Sequence, residues 1–499
     1  MDGLLGNLAL GFAVAFSVEN IGLCLIGCIL GTLIGVLPGI GPTTTVALLL
    51  PITFYLDPVG ALIMLAGVFY GSQYGGSTTS ILVNLPGESS SVVTCIDGYQ
   101  MARQGRAGAA LAIAALASVV AGVVTTVLIG LAGPPLASIA LLFQSADYVS
   151  VMVLGLVSAV VLAHGSILKA VAMIVLGIFL GLVGTDVTTG EQRFTLGISE
   201  LYDGIGFVPV AMGLFGVAEI IYNLEQTRGR GIVTATIARL WPTREDLRRA
   251  WAAVVRGTGL GALLGILPGS GPTVASFAAY SLEKKIARAP ERFGKGAVEG
   301  VASPEAANNA AAQACFIPML SLGIPPNAIM ALMIGAMMIH GLTPGPGIIT
   351  KQPELFWGMV ASMLVGNVLL VVLNLPLIGM WVKLLKVPYR FLFPAILVFC
   401  CIGTYSLKAS PVEVMMIALF GVIGYAFRKL DCEPAPLLLG FVLGPMLEEN
   451  FRRAMILSGG DASVFVTRPI SAGFLVLAAI LLVAVLLPAF KKTREAIRE

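Results

Sequence analysis

Apolar residues run unbroken for many turns along most of this chain instead of alternating with polar ones. Stretches 107–132, 167–183 and 474–487 together hold a single charged residue, Lys169. Continuous apolar runs of this length predict buried or lipid-facing helices, not half-exposed strands. A bilayer core of about 30 Å needs about 20 apolar residues per helix, and the chain has room for roughly ten or more. Runs near 107–133, 147–163, 167–185, 203–222, 355–380, 390–404, 411–427, 434–447 and 470–489 are the predicted spanning helices. Because lipid offers no hydrogen bonds to the backbone, only helices or closed barrels satisfy it there. The pattern selects helices.

Four clusters of Gly and Pro interrupt this apolar background: GVLPGIGP (35–42), NLPG (84–87), GILPGSGP (265–272) and LGIPPN (322–327). Proline removes a backbone donor and glycine weakens helical preference, so helices are expected to open at these points. Opened backbone at membrane depth is tolerated where it is buried in protein or lines a watery cavity. Most of the remaining glycines are expected between packed helices, where small residues let backbones approach.

Segments 31–45 (GTLIGVLPGIGPTTT) and 261–275 (GALLGILPGSGPTVA) match through the whole PGxGP core, and a second interruption follows downstream in each case. A weaker match pairs 206–220 with 438–450, including Glu219 and Glu449. Loop charge then orients the halves, since Lys and Arg accumulate on the cytoplasmic side. The connector from Arg228 to Arg256 and the loop SLEKKIARAPERFGK (281–295) are strongly basic, whereas loop 51–60, the first-half counterpart of 281–295, carries only Asp57. Conversely, loop 101–108 carries Arg103 and Arg106, and its counterpart 340–350 has no basic residue. Equivalent loops with opposite charge bias are expected of inverted-topology repeats. Between Arg256 and Lys284 there is too little chain for two full crossings at 1.5 Å per residue, so two half-helices meeting at PGSGP are predicted. Symmetry places a second hairpin at GVLPGIGP. Arg452 and Arg453 depart from this scheme, which puts them outside.

The predicted architecture is thus an all-α polytopic membrane protein with two inverted-topology repeats, re-entrant helical hairpins and broken helices. Residues 1–18 form an N-terminal helix and 19–223 the first repeat, with its tip at 38–42. A cytoplasmic linker (224–256) leads to the second repeat (257–453), with its tip at 268–272. A final spanning helix and basic cytoplasmic tail occupy 454–499. MDGLLGNLALGF has an acid and no basic n-region, so it does not read as a cleaved signal peptide.

Composition agrees. The chain is 57% hydrophobic and 11% charged, with a mean hydropathy of +0.94, against about 25% charged residues in soluble domains. A net charge of +3 gives no case for nucleic acid. The seven cysteines form no CxxC pair and fall mostly in apolar segments, where they read as small helix-face residues. The chain lacks HExxH, GxSxG and P-loop patterns, so hydrolase and ATPase readings have no starting motif and no cofactor is expected. Transport energy would then come from an ion gradient or the membrane potential.

The chemistry is expected at the interruptions. A half-helix that starts inside the membrane presents bare N–H groups and a partial positive charge, which stabilise a carboxylate without a buried Arg. The candidate substrate- and ion-binding residues are Pro38, Gly39, Gly41, Thr43, Thr44, Ser77, Thr78, Asn84 and Gly87 in the first half. Those in the second are Gly269, Gly271, Thr273, Asn308, Asn309 and Asn327. Thr45, Thr79, Ser89, Gln313 and Ser321 lie in the same stretches. Each hydroxyl taken singly has a plainer role in bonding its own helix or a neighbouring one. Unwound carbonyls at the Gly39 and Gly269 tips are candidate ligands for a coupling Na⁺. Glu88 and Glu305 are the ionisable candidates near the interruptions, for proton coupling or as water-facing carboxylates. His164 and His340 sit at predicted loop edges and read as incidental.

GVLPGIGPTTTVALLLP, YGGSTTSILVNLPGESSSVVTCIDGY, the second GILPGSGP and FIPMLSLGIPPNAIMALMIGAM together resemble the large membrane subunit of the tripartite tricarboxylate transporters, over nearly the whole chain. The resemblance implies a bacterial inner-membrane symporter for citrate or a related small carboxylate, coupled to Na⁺ or H⁺. It also implies a small membrane subunit and a periplasmic solute-binding protein as partners. An anion channel, or a solute exporter working without a binding protein, is the alternative. In the second tip Ser270 replaces Ile40 and Val274 replaces Thr44, so the two halves are expected to contribute unequally.

Overall fold

The computed structural model describes residues 2–37, 41–162, 166–186, 189–225, 240–267, 271–384 and 389–486. The first part of the chain forms α1 (Asp2–Ala15), α2 (Val18–Val36), α3 (Pro42–Thr53), α4 (Pro58–Val83), α5 (Val92–Met101), α6 (Ala107–Ala140), α7 (Ser145–Leu162), α8 (Ile167–Gly181), α9 (Phe207–Ala211) and α10 (Ala218–Glu225). A π-helical turn, Met212–Val217, joins α9 to α10, and Gly105 at φ 77° marks a kink between α5 and α6. The second part forms α11 (Arg244–Ile266), α12 (Gly271–Ile286), α13 (Glu299–Ala314), α14 (Phe316–Leu322), α15 (Ala328–Ile339), α16 (Gly347–Lys351) and α17 (Pro353–Asn374). It continues through α18 (Ile378–Leu384), α19 (Tyr389–Lys408), α20 (Pro411–Lys429), α21 (Pro434–Leu457), α22 (Val464–Thr467) and α23 (Pro469–Leu486). Among the described residues the only strands are the antiparallel pair Gly184–Thr185 and Gln192–Arg193.

The helices start where local chemistry allows. Ser17 accepts the Asn20 N–H at 3.2 Å, Asp57 accepts the Val59 N–H at 3.0 Å, and Thr243 and Asp246 cap α11 reciprocally at 3.2 and 3.0 Å. Among the described residues five stretches are long and apolar enough to cross a membrane: Val18–Val36, Ser89–Leu136, Phe207–Glu225, Pro353–Asn374 and Pro411–Lys429. Several other apolar helices are shorter, α3 (Pro42–Thr53) and α15 (Ala328–Ile339) among them, because Gly and Pro interrupt their runs. Leu168, Val175 and Phe179 of α8 and Val422 of α20 are exposed, as lipid-facing side chains would be. This is a multi-pass helical membrane protein.

Glycine spacing determines the tightest packing. A Cβ on Gly27, Gly31 or Gly35 of α2 would lie 2.2–2.4 Å from the carbonyl oxygens of Met64, Val68 and Ser72 on α4. A Cβ on Gly257, Gly261 or Gly265 of α11 would lie 2.3–2.5 Å from those of Ser303, Ala307 and Ala311 on α13. Both contacts advance in the same direction along both chains, so α2 runs parallel to α4, and α11 to α13. The helix between each pair, α3 or α12, must therefore lead back.

The helix ends are tied laterally. Arg106 pairs with Asp246 at 2.6 Å, and Gln104 donates to the Lys295 carbonyl at 2.8 Å. Arg256, in the middle of α11, makes two 2.7 Å bonds to Glu283. Lys429 meets Glu225 at 2.7 Å, and Arg428 meets Glu219. Another group holds Arg193 on Glu448 at 2.8 Å and Arg452 on Asp186 and Glu448 at 3.0 and 2.7 Å. Arg453 pairs with Glu449 at 2.6 Å. The two arginines that depart from the loop-charge pattern are thus ion-paired. Segment 224–256 carries the first half of α11 from Arg244 onward, and 226–239 lie outside the described residues. α1 packs on α17, with Gly11 against the Trp357 carbonyl.

Candidate functional site

At the first interruption α2 stops at Val36, Leu37 is extended, and α3 starts anew with Pro42 in its first turn. At the matching point α11 stops at Ile266, Leu267 is extended, and α12 starts at Gly271. Pro38, Gly39 and Gly269, with the Na⁺ expected at those tips, lie outside the described residues. The freed end of α2 is partly satisfied from α4, where the Thr79 hydroxyl donates to the Val36 carbonyl at 2.9 Å.

The second interruptions share one backbone design. Asn84 ends α4 in the left-handed region (φ 58°, ψ 32°) and Gly323 ends α14 there (φ 73°, ψ 23°). Left-handed backbone stops a helix, and Asn and Gly are the residues that tolerate it best. Prolines follow at 86 and at 325–326, and then an extended residue opens the next helix: Glu88 (φ −149°, ψ 168°) or Asn327 (φ −153°, ψ 174°). Gly87 holds the two first-half interruptions together, since a Cβ there would lie 1.9 Å from the Gly35 carbonyl oxygen.

The interruptions meet across the halves. α12 packs on the turn Ser89–Ser91 and on α5, while α3 packs on α15. Ser89 Oγ and Thr273 Oγ1 are 2.9 Å apart. A Cβ on Gly41 or Gly271 would meet nothing within 4 Å, so there is open space beside each of these two residues. Behind Ser89, the Ser90 hydroxyl donates to Glu88 Oε1 at 2.6 Å, and Asn308 Nδ2 approaches the same oxygen at 3.5 Å. Deeper still, Glu305 of α13 is 1% exposed and accepts from Ser77 at 2.6 Å and from Thr94. Asn309 donates to Ser118 at 2.7 Å. Neither Glu88 nor Glu305 has a Lys, Arg or His partner among the described residues. Glu305, buried and held by neutral donors alone, is costly as an anion.

Ser77, Asn308 and Asn309 therefore converge around the two acids, with Gly87, Ser89, Gly271 and Thr273 at the outer edge. Other candidates serve the scaffold: Thr44 donates to the Phe215 carbonyl at 2.9 Å, and Asn327 caps Met330 at 3.0 Å. Thr45 and Ser321 bond their own helices. Thr78 makes only a long bond of 3.4 Å to its own helix, Thr43 is half-buried, and Asn84 is exposed at its turn. Gln313 bonds Thr126. His340 ends α15, and His164 lies outside the described residues. Thr94, Ser118, Tyr74 and Asn374 also belong to this polar interior, although the sequence does not single them out as site residues, because single hydroxyls and amides in apolar runs resemble ordinary helix contacts.

A protein of Agrobacterium vitis described as an uncharacterized 52.8 kDa protein in the TAR-I ttuC' 3' region is 58% identical over 495 residues, spanning 99% of each chain. A second, described as an uncharacterized protein in the TAR-II ttuC' 3' region of Agrobacterium vitis, is 58% identical over 235 residues, covering 47% of this chain and 97% of its own. No solved structure matches. The description "Tripartite tricarboxylate transporter TctA family" matches residues 21–439, which contain all four interruptions and both acids. The chain belongs to this family, the large transmembrane subunits of multi-subunit transporters, and is not an enzyme.

Proposed function

We infer that the chain is the permease subunit of a binding-protein-dependent secondary transporter in the bacterial inner membrane, taking up tricarboxylates or other small organic carboxylates with Na⁺ or H⁺. It works with a small membrane subunit and a periplasmic solute-binding protein that delivers the substrate. The observation that carries this reading is the meeting of two helix starts, α12 and the turn leading into α5, at the Ser89–Thr273 pair beside open space. The start of α12 and the Ser89 and Thr273 hydroxyls suit a carboxylate without a basic side chain, while the turn leading into α5 is capped by the Glu88 carboxylate itself.

Two inverted repeats with hairpins at 38–42 and 268–272 are part of the proposal. They are supported by the parallel α2–α4 and α11–α13 pairs and by the matched backbone at Asn84–Glu88 and Gly323–Asn327. They are further supported by lateral bonds that join helix ends assigned to one side of the membrane: Arg106 to Asp246, Lys429 to Glu225, and Arg452 to Asp186. Uptake of radiolabelled citrate and a panel of other di- and tricarboxylates into proteoliposomes holding all three subunits tests the function. Accumulation driven by an imposed Na⁺ or pH gradient is expected. Saturation-free flux indifferent to both gradients and to the binding protein would instead mark a channel.

A further inference from the structure

Beside Glu305 lies a small internal cavity with room for about one water-sized particle. Its polar lining is Tyr74, Ser77 and Thr78 of α4, Ser118 of α6, Glu305 of α13 and Asn374 of α17. All are at least nine-tenths buried. Two of these lining residues carry a buried side-chain oxygen without a hydrogen-bond partner, the Tyr74 hydroxyl and Asn374 Oδ1. An unpaired buried polar atom costs about 1–3 kcal/mol, and two residues with such atoms share one cavity with a carboxylate that has no cationic partner, which suits the cavity to a polar or positively charged ligand.

We propose that this cavity is a sodium site, with Glu305 as its single anionic ligand and the Ser77, Thr78, Ser118, Tyr74 and Asn374 oxygens as neutral ones. The inference rests on the reading of the chain as an ion-coupled transporter and names the ion's seat within it. Oxygen-only donors select a hard cation. One carboxylate neutralises one positive charge, whereas a divalent ion would leave excess charge inside the membrane. No cluster of three or more His, Cys, Asp or Glu exists among the described residues to hold a divalent metal.

The site spans both halves, which gives the ion a route to the substrate. Glu305 accepts from Thr94, on the α5 helix that starts just beyond Ser89, and Asn308, one turn on from Glu305, reaches Glu88. An occupied site therefore fixes the position of the α5 start relative to Thr273. Ion and carboxylate then favour each other's binding reciprocally.

Binding of ²²Na⁺ to the purified full-length protein, without substrate or partners and with choline as the replacing cation, tests the site. Saturable binding at one ion per chain is expected. Glu305→Gln should weaken it about a hundredfold or more, as loss of the charged partner of a buried ion implies. Asn374→Leu and Ser118→Ala should weaken it about three- to tenfold, and they keep the test decisive if the Glu305 variant fails to fold. Wild-type binding that all three variants preserve would overturn the proposal while leaving ion coupling intact. Absence of sodium binding would also overturn it, leaving a water or a proton in the cavity. Sodium binding that depends on Glu305, in a protein whose uptake ignores both a sodium and a pH gradient, would instead refute the ion-coupled transport reading and leave the site standing.

Discussion

Thr44 and Thr273 both lie within two residues of a PGxGP core, with Thr273 matching Thr43 and Val274 matching Thr44, and they do different work. The Thr44 hydroxyl is spent on the Phe215 carbonyl, whereas Thr273 faces Ser89 at the border of open space. Thr44→Val is therefore expected to cost about 1 kcal/mol of stability with substrate affinity unchanged. Thr273→Val and Ser89→Ala should raise the apparent KM several-fold with little change in melting temperature. Thermal melting beside concentration-dependent uptake separates the two cases. A rise in KM for Thr44→Val equal to that for Thr273→Val would show that the tips share their duties after all.

At the scale of elements, glycine spacing distinguishes contact from mere composition. Gly22 and Gly31 lie on one helix, but a Cβ on Gly22 meets nothing within 4 Å, whereas one on Gly31 would sit 2.4 Å from the Val68 carbonyl oxygen. The same contrast separates Gly259 from Gly261 on α11. Ala at 22 or 259 should be neutral or stabilise by up to about 1 kcal/mol, through higher helix propensity. Ala at 31 or 261 should force the helices apart and cost at least about 1–3 kcal/mol. The monodisperse fraction after detergent extraction reads this directly. Gly87→Ala, 1.9 Å from the Gly35 carbonyl oxygen, is expected to be worse still, because it parts the two first-half interruptions.

For the whole molecule, the proposed opposition of the halves makes a topological prediction. Tyr55→Cys and Lys285→Cys, in equivalent loops, should react with a membrane-impermeant thiol reagent from opposite faces of oriented vesicles, with Tyr55→Cys labelled from outside. Labelling of both from one face would leave two halves inserted the same way up. Hydrogen bonds at Asp97 also link the halves. Its carboxylate accepts from the N–H groups of Gly294, Gly296 and Ala297 at 2.7–2.9 Å and from the Tyr280 hydroxyl at 2.9 Å. Asp97→Ala leaves those donors unpaired and should lower the melting temperature by several degrees.

The amino-acid pattern alone determined that this is a membrane protein, where its helices are interrupted, and that segments 31–45 and 261–275 resemble each other. These follow from local rules: apolar length, the missing proline donor, and loop charge. The chain pattern also singled out Ser77, Glu88, Glu305 and Asn308 as polar residues close to interruptions. Which of the hydroxyls bind one another was left to tertiary structure, because Ser89 meets Thr273, and Thr94 meets Glu305, only after segments about 200 residues apart pack together. The cavity beside Glu305 likewise belongs to four helices at once, and no segment read singly contains it.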